Sequence, residues 1–230
     1  LILLPAEGDF DGLSISRLDV DNNRITRIRS RTFSNVICST ELTFISNDIV
    51  EIEEESFVNV TGNCRIRLQE NPLKNIASRA FDNVAATEII LSSLELTSLR
   101  SETFKNVKLT ECLKLDQNTI ESIEVRAFDV LDAKCLTLNE NKIKEISVQI
   151  FGSGSKLVNL HLNENEIKSL SGDSFAGLNV QEDLFLEDNK LVIFPHEALK
   201  IINPKYLTLK NNEISSMSKN SLETFTNLEE

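Results

Sequence analysis

The stretch LHLNENEIKSLSGDSFAGL, Leu160–Leu178, decides how the rest of the chain is read. Leucines alternate at Leu160 and Leu162, an amide follows at Asn165, apolar residues stand at Ile167 and Leu170, and Phe175 and Leu178 close the phrase. The same phrase recurs every 23 or 24 residues. Its aromatic position falls at Phe10, Phe33, Phe57, Phe81, Phe104, Phe128, Phe151 and Phe175, then becomes Leu199 and Leu222. Its amide position falls at Asn23, Asn47, Asn71, Asn118, Asn141, Asn165, Asn189 and Asn212, with Leu94 as the single exception. Nine units start between Leu18 and Leu207, and two ladders in phase identify a solenoid.

One unit alone has too little apolar surface to offset the entropy of ordering its backbone, so each coil must be covered by the coils above and below. The alternating leucines predict a short strand with Leu inward, and stacked coils place these strands side by side as a parallel sheet. A buried amide at the Asn position can satisfy backbone N–H and C=O groups where the chain leaves the strand. Leu94 cannot do this, so local weakness is expected at that turn.

On these residues the chain resembles the extracellular, "typical" leucine-rich repeat proteins of 23–24-residue period, such as Toll-like receptor ectodomains, Slit-type proteins and secreted immune recognition proteins. The resemblance runs from Ile2 to Leu228 and implies a curved, right-handed α/β-type horseshoe. It places a parallel sheet on the concave face and an irregular or 3-10 convex face with little helix. It further implies an extracellular recognition module, secreted or part of a receptor ectodomain. Such a module binds a protein, a co-receptor or a microbial or self ligand from the concave face or one flank, in innate immunity or cell signalling. The alternative is a structural or adhesion role with homophilic or matrix contacts, including a homodimer. The cysteine-rich caps usual in that family have no counterpart here. Ile2 and Leu228 both fall inside the phrase, which reads residues 1–230 as one domain of nine full repeats with partial repeats at both ends, a piece of a longer solenoid. A short leader over Leu1–Pro5 before a natural end is the other reading.

The net charge of −12 argues against nucleic acid and anionic membranes, which require clustered Lys and Arg, and no apolar run approaches the length that spans a bilayer. A basic protein partner is compatible with it. The run Glu53–Glu55 reads as a solvated bend, since three consecutive carboxylates cannot all face one calcium ion. No cofactor or metal is indicated. With His161 and His196 as the only histidines and no G-x-S-x-G, phosphate-loop or H-E-x-x-H motif, enzymatic chemistry finds little support. Cys135, His161 and Asp183 can be drawn as a triad, but an open sheet would not desolvate it.

Four cysteines allow three pairings. Cys112 and Cys135 each precede the first strand leucine of adjacent coils, at a spacing of about 4.8 Å that a disulfide accepts. Cys38 and Cys64 also belong to adjacent coils but differ by two positions in the phrase. Bridges would fit an oxidising, extracellular compartment; four free thiols serving as small apolar groups are the alternative. Asn59-Val60-Thr61 is a glycosylation sequon on an expected exposed segment.

The inward leucines define the outward strand positions, which are the candidate ligand contacts. In the last repeats these include His161, Asp183, Phe185, Glu187 and Tyr206, with Glu164 and Asp188 at the strand exits. Phe185 beside His161 and Tyr206, ringed by carboxylates, has the composition of a hot spot for a basic partner. A secondary patch is formed by Arg17, Arg65, Arg67 and Lys114.

Overall fold

The computed structural model describes residues 7–217, 221–222 and 225–228, so Ile2 and the Leu1–Pro5 segment lie outside the described residues. The described chain is a parallel-strand solenoid with one short helix, His196–Ile202. Strands at Ser14–Asp19, Ile37–Thr43, Arg65–Arg67, Glu88–Ile90, Cys112–Lys114, Phe128–Thr137, Ser155–His161, Leu178–Phe185 and Tyr206–Thr208 pair in that order, every pair parallel. The register joins Leu18, Leu42, Ile66, Ile89, Leu113, Leu136, Leu160, Leu184 and Leu207 into one inward row. The recurring leucines leave no choice of register, because a one-residue slip would turn every leucine to solvent.

The amide ladder closes the turn after each strand. Asn141 is typical: its Nδ2 donates to the carbonyls of Leu115 and Leu138, and its Oδ1 accepts from Ile120 N at 2.9 Å. Asn47, Asn71, Asn118, Asn165, Asn189 and Asn212 make the same bonds in their coils. Leu94, buried at 6 % exposure, breaks the series, and among the described residues the Leu73 N–H has no amide oxygen to meet.

The return side is more regular than an irregular or 3-10 path. Phe33, Phe57, Phe81, Phe104 and Phe128 sit in short parallel strands paired one to the next, and Phe151 continues the column through an isolated bridge. Their rings stack at centroid distances of 4.9–5.7 Å, with Phe10 at the start of the pile. Coil lengths that differ by at most one residue bring backbone N–H and C=O groups of neighbouring coils into line even at the outer turn, where Glu55 N donates to Arg79 O and Arg79 N to Glu102 O. Strand Phe128–Thr137 runs through both columns, pairing with Phe104–Leu109 at its start and Cys112–Lys114 at its end. Return side and strand face therefore belong to one sheet that turns the corner.

Left-handed backbone recurs at fixed places. One such column is Ser46, Glu70, Ser93, Gln117, Glu140, Glu164 and Asp188, directly after each strand exit. Another is Asn35, Asn59, Asn83 and Asn106, where the fifth member is Val130 at φ 61°. Asn tolerates this conformation; a β-branched residue does so only under strain.

Candidate binding face

The outward strand positions form two rows in register on one face. The first row runs Arg17, Glu41, Arg65, Glu88, then Cys112, Cys135, Asn159, Asp183 and Tyr206. The second row includes Arg67, Ile90, Lys114, Thr137, His161, Phe185 and Thr208.

Cross-strand neighbours neutralise the first half of this face. Arg17 contacts Glu41 at 2.8 Å and Asp19 at 3.0 Å, and Arg67 approaches Glu41 from the other side at 3.9 Å. Glu88 likewise stands between Arg65 at 3.7 Å and Lys114 at 2.7 Å. The secondary cationic patch is thus a set of internal ion pairs, with Glu41 and Glu88 each shared by two cations. The Glu53–Glu55 run is also committed, since Glu53 pairs with Arg27 and accepts from Ser30 N, Glu54 lies 3.9 Å from Arg79, and Glu55 pairs with Arg31 and Arg79.

Beyond Cys112 and Cys135 the character of the face changes. His161 stacks on Phe185 with ring centroids 4.5 Å apart, and Phe185 meets Tyr206 at 6.0 Å in a tilted contact. Tyr206 is 52 % exposed. Asp183 lies in register between Asn159 and Tyr206. Glu140, Glu164 and Asp188 follow one another in the left-handed column at the strand exits. The ion pairs of this half join Lys144 to Glu121, Lys190 to Glu166 and Lys205 to Glu182. Among the described residues none reaches Glu140, Glu164, Asp183, Glu187 or Asp188. Burial holds the His161 imidazole below its usual pKa, against the pull of Glu187, Asp183 and Asp116, so the ring beside Phe185 favours its neutral form.

Among the described residues, the side-chain polar atoms that are buried without a partner all fall on this face: Arg67 Nε and Gln69 Oε1 in the first half, Asn159 Oδ1 and Glu187 Oε2 in the second. Sequence reading missed this signal, since it depends on packing between coils.

Both cysteine pairs are bridged. Cys38–Cys64 has its Cα atoms 5.2 Å apart and Cys112–Cys135 4.6 Å apart, the latter at matched register. The two-position offset of Cys38 and Cys64 is absorbed where Gly62, at φ 119°, passes so close to the Cys38 carbonyl that a Cβ would collide with it. With Cys135 in a disulfide, the Cys135, His161, Asp183 grouping has no thiol to ionise. Asn59 sits half-buried on the flank in an amide ladder, donating to Asn35 Oδ1 at 2.8 Å and accepting from Asn83 Nδ2 at 2.7 Å.

The BspA type leucine-rich repeat region model matches residues 26–151 in six copies, and a second leucine-rich repeat model matches 134–191. No curated protein matches the chain in sequence. Among solved structures, the glycosylated Toll–Spatzle complex of Drosophila superposes with TM-score 0.71 at 18% identity, over 93% of this chain and 29% of that one. A second Toll–Spatzle structure gives TM-score 0.59 at 18% identity, covering 93% and 32%. The TLR13–ssRNA13 complex gives 0.46 at 14% identity, covering 93% and 48%. The chain spans less than half the length of each of these.

Proposed function

The chain belongs to the leucine-rich repeat family, and on that premise we propose that it is a non-enzymatic recognition module that binds a protein partner through the second half of its strand face. The observation that carries this reading is the contrast along one continuous sheet. The first half pairs Arg17, Arg65, Arg67 and Lys114 with Glu41 and Glu88, while the second presents the His161, Phe185, Tyr206 cluster among carboxylates without ion-pair partners. Unpaired charge with a central aromatic anchor favours a basic partner, because the anchor supplies buried area and the carboxylates steer encounter.

An extracellular setting, in a secreted protein or a receptor ectodomain, is supported by two disulfides that a reducing cytosol would not maintain. The protein ligand Spatzle in the Toll complexes supports a protein as the partner class. The test is a binding screen of the chain and its Phe185→Ala variant against a panel of secreted and cell-surface proteins, with sedimentation in parallel. Partners that bind the chain and not the folded variant support recognition. Self-association without a heterologous partner supports the adhesion role instead.

A further inference from the structure

The acidic half of the strand face holds two orphaned acceptors on either side of its aromatic row. Asn159 Oδ1 lies on the strand of His161, and Glu187 Oε2 lies two residues beyond the strand that ends at Phe185. Each is an oxygen, and this half has no unpartnered buried donor among the described residues. A buried polar atom left unpaired destabilises the free chain, and a ligand that supplies the missing N–H groups recovers that cost. Asp183, in register with Asn159 and Tyr206, adds a third acceptor on this face.

The rings narrow the choice of donor. Phe185 has one face covered by His161 at 4.5 Å, while its other side opens toward Tyr206, tilted by 54°. A flat cation laid across that opening contacts both rings and reaches the acceptors at its edges. Resting on the reading of this face as the recognition surface, we propose that its anchor is an arginine side chain of the partner, with the guanidinium over Phe185 and Tyr206 and its N–H groups on Asp183, Glu187 and Asn159. Lysine would bring the same charge, but as a point donor it neither stacks nor bridges separated acceptors. A neutral His161 behind the stack does not repel the incoming cation.

The experiment is an NMR titration of the full chain with a short arginine-containing peptide and with its lysine counterpart of equal length and charge. Binding of the arginine peptide should be about tenfold tighter. It should shift the ring signals of His161, Phe185 and Tyr206, and both effects should fall in Phe185→Leu and in Glu187→Gln, the second variant leaving the ring row in place. Equal binding of the two peptides, with shifts confined to Glu140, Glu164 and Asp188, would overturn the arginine anchor and leave recognition of a basic partner standing. Absence of binding by either peptide at this face would overturn the anchor and the charge-based reading together.

Discussion

His161 and Phe185, 24 residues apart in sequence, stack nearly face to face, their rings 15° from parallel across adjacent strands of the open face. The contact buries an imidazole on a surface that is otherwise acidic, and that burial depresses its pKa. The sign of the pH effect follows. Above the unfolded value of about 6.5 the ring is neutral in both states; as pH falls below it the unfolded chain takes up the proton first, so the contribution of His161 to stability declines. Denaturant midpoints measured from pH 7.5 down to about 5.5 should therefore fall more steeply for the native chain than for His161→Gln.

Phe128 lies fully buried between Phe104 at 5.7 Å and Phe151 at 5.4 Å. Truncation removes packing from both neighbouring coils, and Phe128→Ala should lose about 3–5 kcal/mol in chemical denaturation. A loss near 0.5 kcal/mol would show that the phenylalanine column is not a structural spine.

The amide ladder predicts a pattern of hydrogen exchange. Ile49, Leu96 and Ile120 each donate to an amide oxygen of the next coil, whereas Leu73 faces the turn of Leu94. The Leu73 amide should exchange faster than these three. Asn141→Ala, which strips Ile120 N of its partner and leaves the Leu115 carbonyl only the bond from Asn118, should cost about 2 kcal/mol.

Val130 occupies the left-handed position that Asn fills at residues 35, 59, 83 and 106. Val130→Asn should raise stability by about 1 kcal/mol, read as an increase in denaturant midpoint with unchanged slope.

Removing the matched bridge by the paired change Cys112→Ser and Cys135→Ser frees a 23-residue separation in the unfolded chain. The expected loss is about 3 kcal/mol. The free energy of unfolding of the paired variant checks it.

The strand face is legible in the sequence because L-x-L fixes side-chain direction residue by residue, which places His161, Phe185 and Tyr206 in one neighbourhood. Charge was less legible. Arg65 and Arg67 look like a cationic patch in the linear sequence, yet Glu41 and Glu88 come from neighbouring coils to neutralise them, and only register reveals the partners. The parallel pairing on the return side was also hidden, since two-residue strands carry no alternation. A signal for it did exist: Thr32, Ser56, Thr103 and Ser174 directly precede the aromatic position, and their hydroxyls bond carbonyls at the outer turn. The pairing of Cys38 with Cys64 depended on the local path at Gly62, which the repeat phrase does not encode.

The division of the strand face is tested most directly by measuring the affinity of a selected protein partner for two matched variants. One is Phe185→Ala with Glu187→Gln in the acidic half; the other is Arg65→Ala with Glu88→Ala, which removes a self-neutralised pair in the first half. Recognition through the acidic half predicts a loss of more than about tenfold for the first variant and less than about twofold for the second. The reverse order, with both variants folded, would contradict it.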